Sequence, residues 1–254
     1  MIHSSFQDIS VTIYIKPPFK TPDNPLLLGD KKFDMRTSVL VTSYRPLQVW
    51  RYNKGFSRLC FENYQHLTKN VENPEEVLYA HLTNVSFQKN SDKYNNVHGG
   101  KWQMETFRTY LELNFGLDVA NDLYRQFDNI YLASLKSVQN CYSTDSHCFE
   151  LYGYDIMIDD NFKAWLIEVN ASPSLSTTTK EDKKMKKSLI NDLLNIVMPS
   201  DWLANSKKVG ASTCKETKIG FFDLIYDESR DPRAPTYGNR IKKNLNKKPF
   251  RNYF

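Results

Sequence analysis

The stretch FELYGYDIMIDDNFKAWLIEVNASPSL, residues 149–175, carries the most structural information in the chain. Its two runs of aliphatic, aromatic and β-branched residues, 149–158 and 163–170, are separated by Asp159-Asp160-Asn161. Residues of the first kind favour strands, and Asp and Asn favour turns. The simplest interpretation is an antiparallel hairpin.

Three side chains of this hairpin carry oxygen atoms that suit a metal ion. Side chains alternate between the two faces of a strand, so Glu168 and Asn170 point the same way. If the turn centres between residues 160 and 161, Asp155 lies opposite Leu166 and shares their face, whereas a slip of one residue would separate them. Two carboxylates and an amide suit magnesium better than zinc, which prefers nitrogen or sulfur. The alternative is a solvated sheet face whose acids pair with lysines.

Other parts of the chain predict more sheet and three helices. Residues 34–50 contain β-rich runs on either side of Tyr44-Arg45-Pro46, which indicates another hairpin. Apolar residues then recur at helical spacing in two groups: Met104, Phe107, Tyr110 and Leu111, followed by Val119, Leu123, Phe127, Ile130, Leu135 and Val138. A third stripe ends before Pro199 and consists of Met185, Leu189, Leu193, Ile196 and Val197. We expect an α+β fold, an antiparallel sheet flanked by helices.

The bulk composition predicts a chain with a packed core. The 254 residues are 40% hydrophobic and 25% charged, which is ordinary for a globular protein. No apolar stretch approaches the ~20 residues of a membrane span, and the first ten residues lack the pattern of a secretory signal. The 4 cysteines are irregularly spaced, which argues against a zinc knuckle and a disulfide framework. We expect a cytoplasmic chain with reduced thiols and no membrane contact.

Positive charge is unevenly distributed along the chain. The formal net charge is +5, and five lysines fall between residues 180 and 187, at the start of the last predicted helix, where they oppose the helix dipole. From Arg230 onward eight Lys or Arg residues accompany one acid and three prolines, so we expect a disordered basic tail. One interpretation is an acidic partner. The other is a solvated helix face followed by an unspecific tail.

Four ordered blocks of sequence give the chain a specific resemblance. The block Glu168-Val169-Asn170-Ala171-Ser172-Pro173-Ser174-Leu175, preceded by Trp165-Leu166-Ile167, resembles the signature of the tubulin-tyrosine-ligase-like family of ATP-grasp enzymes. Three more blocks precede it in the family's order: Asn24-Pro25-Leu26-Leu27-Leu28 with Lys32-Phe33-Asp34-Met35-Arg36; Arg58 after a Tyr52-x-x-Gly55 turn; and His81-Leu82-Thr83-Asn84. The similarity spans residues 24–199, and residues 220–228 resemble a patch of polyglutamylating members.

The resemblance implies a role for each matched polar residue. It implies magnesium ligation by Asp155, Glu168 and Asn170, with Glu168 bridging two ions. It implies contacts to ATP from Lys32, Asp34, Thr83 and Asn84, whose alternative roles are solvated charge, turn cap and loop closure. It implies that Arg36 faces the reactive phosphate and that Arg58 and Lys186 hold the carboxylate of the incoming amino acid. A planar guanidinium suits both anions.

The reaction implied by the family is ATP- and magnesium-dependent addition of free glutamate to glutamate side chains of tubulin tails through an acyl phosphate. Glu168 and Arg36 would be the catalytic pair, and the remainder of catalysis would be positioning. Family members carry an amino-terminal lobe and a glycine-rich phosphate loop before the first block, and we expect both to be missing here, which leaves open whether this fragment alone is active or inactive. The expected segments are 1–23 without a match, a partial catalytic domain 24–199, an extension 200–229 and the tail 230–254.

Two other functions use the same features. A glycine or tyrosine ligase of the family would share the site, and a non-catalytic remnant would grip tubulin or microtubules through its basic patches; magnesium-dependent nucleotide binding separates the ligases from the remnant. Nucleic acid is not an expected partner because the basic tail lacks aromatic stacking platforms. The expected location is the cytoskeleton, with cilium, flagellar axoneme and basal body as specific sites and accessory subunits as a further class of partner.

Overall fold

The structure is a computed structural model that describes residues 22–65, 74–84, 88, 100–142, 148–198 and 216–232. The expectations for residues 1–21, for residues 199–215 and for the tail beyond residue 232 therefore lie outside the described residues. Within the described ranges, no helix has the length and apolar character needed to cross a membrane.

The strands that the structure describes form one 9-stranded antiparallel sheet. They are β1 (Leu27–Leu28), β2 (Lys31–Tyr44), β3 (Leu47–Tyr52), β4 (Phe56–Leu59), β5 (Lys101–Gln103), β6 (Glu150–Ile158), β7 (Ala164–Asn170), β8 (Lys218–Ile219) and β9 (Phe222–Asp227). Strand β2 is central, because β6 pairs with one of its edges while β4 and β3 share the other. Beyond these, β7 pairs with β6, β5 with β4, and β9 with β3.

Helices cover both faces of this sheet. In the described ranges they are α1 (Pro74–His81), α2 (Met104–Phe115), α3 (Leu117–Val138) and α4 (Lys180–Val197). The predicted α+β architecture is confirmed, with the two hairpins and the three amphipathic helices at the expected places. Thr179 begins α4 by accepting a hydrogen bond from the backbone N–H of Asp182 at 3.1 Å.

The two-residue period of β2 divides its side chains between the faces of the sheet. Odd-numbered residues such as Phe33, Met35 and Val39 are buried in a core that also contains Phe107 and Leu123 of α2 and α3. The even-numbered residues on the opposite face are polar in the first half of the strand: Lys32, Asp34, Arg36 and Ser38. The second half continues with Leu40, which packs under α4. One strand thus anchors a core on one side and lines a cleft on the other.

A β-bulge changes the register of the β6–β7 hairpin. Next to the turn, Ile156 lies opposite Leu166, but Asp155 lies opposite Glu168, so Ile167 is the extra residue. The expected pairing of Asp155 with Leu166 is therefore wrong. The turn centres on Asn161 rather than before it, because the backbone N–H of Asp159 donates to the carbonyl oxygen of Lys163 at 3.0 Å.

The bulge also moves β7 side chains from one face to the other. Leu166 packs against the α2–α3 core, and the next β7 residue to do so is Val169, three positions later. In a regular strand it would be residue 168, two positions later. Ile167, Glu168 and Asn170 line the opposite face. Without the extra residue Asp155 would lie opposite Ile167, and Glu168 would point into the apolar layer. The expected shared face of Asp155, Glu168 and Asn170 is therefore present, but it depends on the bulge.

The β8–β9 hairpin is attached to α4 by a buried aspartate. Asp192 accepts a hydrogen bond from the backbone N–H of Phe221 at 3.0 Å. The neighbouring Gly220 has a φ of 56°, and a Cβ atom there would lie 2.4 Å from both carboxylate oxygens of Asp192. Only glycine satisfies both the backbone conformation and the space.

Candidate functional site

A cleft of about 970 Å³ opens on the sheet face that carries the polar residues of β2. Its walls come from β2, β4, β6, β7, the end of α1 and the start of α4. All of the site residues predicted from the sequence line this one cleft: Lys32, Asp34, Arg36, Arg58, Thr83, Asn84, Asp155, Glu168, Asn170 and Lys186. Their placement agrees with a shared site, and their individual roles remain predictions.

Alternating charges on adjacent strands form the floor of the cleft. Arg36 lies opposite Asp155 in the β2–β6 ladder, and Arg58 lies opposite Asp34 in the β2–β4 ladder. The Arg36 guanidinium donates from Nε and Nη2 to the two Asp155 oxygens, the second at 2.8 Å. Arg58 donates to Asp34 at 2.7 Å and to Asp155 at 2.7 Å. These contacts join both arginines and both aspartates into one network.

The two aspartates of this network are almost completely buried. The side chains of Asp34 and Asp155 are 6% and 3% exposed, and each carboxylate is paired with an arginine there. A buried charge without such a partner is costly. Burial alone would raise the pKa of Asp155, but the hydrogen bond from Arg36 and the positive charge of Arg58 hold this pKa below its usual value. Asp155 is thus kept as an anion.

Glu168 extends the network towards solvent. It lies opposite Asp155 on β7, and the hydrogen bond that it makes with Asp155, together with burial, raises the pKa of Glu168. The Asn170 side-chain amide donates to Glu168 at 3.1 Å. Two carboxyl groups this close favour one negative charge until a cation joins them, because like charges repel each other.

The donor set formed by Asp155, Glu168 and Asn170 fits a hard cation. All three can offer oxygen, which magnesium prefers. Among the described residues, no three or more His, Cys, Asp or Glu side chains are grouped so that they could hold a metal ion. The set described here has two such residues, Asp155 and Glu168, and its third oxygen comes from the amide of Asn170. A magnesium ion here would take its remaining oxygens from water or from phosphate.

A close approach at Gly153 shapes the cleft wall. A Cβ atom on this β6 residue would lie 3.0 Å from the Cβ of Pro173 and 3.6 Å from the Cδ of Arg36. Pro173 belongs to the Ala-Ser-Pro-Ser segment that follows β7. The absence of a side chain therefore lets this segment cross β6 beside the Arg36 side chain.

A second charge cluster, built on Asp182 of α4, lies in the wall of the cleft. The Nζ of Lys101 is 3.0 Å from one Asp182 oxygen, and the Nζ of Lys186 is 3.4 Å from the other. Lys101 also pairs with Arg58 in the β4–β5 ladder and is 8% exposed. Burial lowers the pKa of Lys101, although Asp182 opposes this effect.

The remaining predicted residues lie around Asp34. The Thr83 hydroxyl donates to an Asp34 oxygen at 2.8 Å, so Thr83 orients that carboxylate in the described structure. Lys32 is buried on the same strand, and its burial lowers its pKa. Asn84 follows Thr83 in the segment after α1 and borders the cleft.

Sequence reasoning did not identify Lys101, which lines the cleft, or Asp182, which pairs with it from beneath the cleft surface. Asp182 has a local signal, because it stands three residues after the cap residue Thr179 and four before Lys186. Lys101 has no such signal. It reaches the cleft only because β5 pairs with β4, and that pairing joins residues more than forty positions apart.

Comparison with known proteins identifies relatives of the chain. The model of the Tubulin-tyrosine ligase family matches residues 22–205. A probable alpha-tubulin polyglutamylase Ttll1 of Tetrahymena thermophila is 50% identical over 226 residues, which are 89% of this chain and 54% of that protein. A probable tubulin polyglutamylase TTLL9 of Bos taurus is 42% identical over 84% of this chain and 44% of its own length. The human tubulin polyglutamylase TTLL5 is 37% identical over 69% of this chain and 14% of its own length.

The chain therefore spans about half the length of the first two of these relatives, and a smaller part of the third. The matched region contains β1 to β7 and α1 to α4, and so the whole of the cleft.

Proposed function

Because the chain belongs to the tubulin-tyrosine ligase family, we propose that it forms the catalytic part of a tubulin polyglutamylase, an ATP- and magnesium-dependent ligase. The observation that carries this proposal is the charged network on the floor of the cleft, in which Arg36, Arg58 and two buried aspartates meet Glu168. The polyglutamylase names of the relatives favour glutamate over glycine or tyrosine as the amino acid that is added.

Asp155, Glu168 and Asn170 are the proposed magnesium ligands. When bound, magnesium would neutralise charge on the nucleotide phosphates. The raised pKa of Glu168 fits this role, because a carboxyl group that shares a site with another carboxylate is stabilised as an anion by a cation.

Arg36 is the proposed partner of the reactive phosphate. Its Nε and Nη2 atoms are used by Asp155, while its Nη1 atom has no acceptor in the part of the chain that the structure describes. Arg36 can therefore keep its ion pair and still donate to a phosphate oxygen from Nη1. Asp155 holds the guanidinium plane in place, so little side-chain entropy remains to be lost on binding.

Arg58 and Lys186 are the proposed partners of the amino-acid carboxylate, and we propose Lys101 as a third. The Nε and Nη2 atoms of Arg58 donate to Asp34 and Asp155, and its Nη1 atom has no acceptor among the described residues. Lys101 and Lys186 share Asp182, so the cluster has one more cation than anion. An amino-acid carboxylate would balance this charge.

Lys32, Asp34, Thr83 and Asn84 are the proposed ATP contacts. Asp34 and Thr83 are already joined by a hydrogen bond, which fixes two oxygen atoms at the border of the cleft for hydroxyl or phosphate groups. Residues 24–199 form the proposed catalytic unit, the substrates are free glutamate and tubulin tails, and the proposed location is the cytoskeleton, including cilia.

Incorporation of labelled glutamate into tubulin tests this function. The assay uses the protein as its own cell makes it, with and without ATP and magnesium, and with glycine and tyrosine as competing substrates. We expect ATP-dependent incorporation of glutamate alone. Incorporation of glycine or tyrosine would change the substrate, and binding to microtubules with neither nucleotide binding nor incorporation would support a non-catalytic tubulin-binding protein instead.

A further inference from the structure

Four lysines form a stripe on the outer face of α4. Lys180, Lys183, Lys184 and Lys187 are all exposed, and positions separated by three, four and seven residues lie on one side of a helix. The buried face of α4, which includes Met185, Leu189 and Leu193, is on the other side. The stripe is about 10 Å long, because a helix rises about 1.5 Å per residue.

The charges of this stripe are not compensated within the described residues. None of the four lysines has a carboxylate oxygen within 4.0 Å there, although Glu181 and Asp182 are in the same helical turn. Lysines three and four positions apart on a helix repel each other, and positive charge in the first turn opposes the helix dipole. The four lysines therefore destabilise the helix slightly. A role in binding would explain why they are present.

The cations inside the cleft differ from those of the stripe. Arg36, Arg58, Lys101 and Lys186 share three aspartates, so most of their field, though not all of it, is cancelled at a distance. The stripe starts next to them, because Lys183 lies one turn before Lys186 on the same helix. Among the described residues it is thus a positive surface without a paired acid, and it leads to the cleft wall.

We propose that this lysine stripe binds a glutamate-rich polypeptide segment and guides it to the cleft. The identity of that segment as the tail of the substrate rests on the proposed function. An extended peptide advances about 3.3 Å per residue, so three or four residues cover the stripe, and alternate side chains lie about 6.6 Å apart, close to the 5.4 Å rise of one helical turn. Long lysine side chains can bridge the remaining difference. Charge complementarity would act mainly on the rate of encounter.

Two matched triple variants of the chain test this proposal. In the first, Lys183→Gln, Lys184→Gln and Lys187→Gln remove three charges from the stripe. In the second, Lys136→Gln, Lys163→Gln and Lys218→Gln remove three charges from exposed lysines on α3, on the β6–β7 turn and on β8. Both variants have the same net charge, and neither changes a residue assigned to the cleft. Circular dichroism and thermal melting check their folding.

The probe is a fluorescein-labelled peptide of about ten residues in which glutamate alternates with glycine. At about 50 mM salt we expect the stripe variant to bind it about eightfold more weakly than the parent, since each exposed ion pair contributes about a factor of two. The second variant should bind like the parent, and the difference should nearly vanish at about 500 mM salt. Equal weakening of both variants, or no weakening of the stripe variant, would overturn the proposal.

Further arms identify the class of ligand. A peptide with glutamine in place of glutamate should not bind. If a single-stranded oligothymidylate or a vesicle with anionic lipid binds the stripe as tightly as the glutamate peptide, the surface is a general polyanion site and the proposal fails. In the tubulin assay, the stripe variant of the natural protein should raise KM for tubulin and leave kcat and KM for free glutamate unchanged. Absence of incorporation by the parent would remove the proposed function but would leave the peptide result standing.

Discussion

Replacing Arg36 by methionine should destabilise the fold through Asp155. Methionine keeps most of the unbranched stem and removes the guanidinium, which donates two hydrogen bonds to a carboxylate that is 3% exposed. Breaking a fully buried ion pair costs about 3–5 kcal/mol. Arg58 still pairs with Asp155 at 2.7 Å, and the Arg36 side chain is 19% exposed, so the expected loss is smaller, about 2 kcal/mol, or about 5 °C in melting temperature.

The pH dependence of this loss identifies its cause. The pKa of Asp155 is lowered in the folded protein, so its ionised form stabilises the fold above the unfolded pKa of about 3.9, and this contribution is lost as the pH falls through the folded pKa. The difference between parent and variant should therefore be constant from pH 7 to pH 5 and shrink below about pH 4. Urea unfolding across this range measures it.

The control for this experiment is Arg125→Met. Arg125 pairs with Asp122 on the surface of α3, where the two side chains are 75% and 52% exposed. Water screens such a pair, and its removal should leave the melting temperature nearly unchanged. If both variants lose the same stability, or if the loss for Arg36→Met does not change with pH, the buried ion pair is not what Arg36 contributes.

Two further predictions concern the Gly220 turn and Glu168. Gly220→Ala should cost about 1–3 kcal/mol more than Gly29→Ala, because both glycines have a φ of 56° but only Gly220 would place a Cβ against Asp192; equal losses in chemical unfolding would exclude that contact as the cause. Glu168→Gln should lower glutamate incorporation by the natural protein at least about a hundredfold. The stability of this variant should equal that of the parent at pH 4 and be slightly higher at pH 7–8. The reason is that the pKa of Glu168 is raised in the folded protein, so the parent loses stability as this group ionises. Full incorporation by that variant would remove Glu168 from the mechanism, and unfolding would give it a structural role.

The sequence predicts the fold well where a single periodic pattern is dominant. The stripes of α2, α3 and α4 repeat every three or four residues, and the apolar positions of β2 repeat every two, so each element follows from its own segment. The bulge in β7 also has a signal, because the core-facing positions change from even to odd between Leu166 and Val169. From the sequence alone this change cannot be recognised as a bulge, because the sequence does not show which face of β7 packs against the core.

The candidate site is predictable in its composition and not in its internal contacts. Motif residues such as Arg58, Asp34 and Asp155 can be identified in the sequence. That Arg58 bonds to both aspartates at once follows only from the register between the strands, which the sequence does not contain. Lys101 shows the same limit, because only the pairing of β5 with β4 brings it to the cleft. Contacts between distant segments are determined by packing, and local sequence contains little information about them.

The alternation along β2 has a consequence for how such a protein can evolve. Substitutions at Lys32, Asp34 or Arg36 alter the chemistry of the cleft, while Phe33 and Met35 between them hold the opposite layer of helices. Selection on folding therefore acts mainly on the odd positions of this strand and selection on the reaction mainly on the even ones, and Arg36 is subject to both because it pairs with the buried Asp155. A lineage can acquire a different substrate through the even positions and inherit its core through the odd ones.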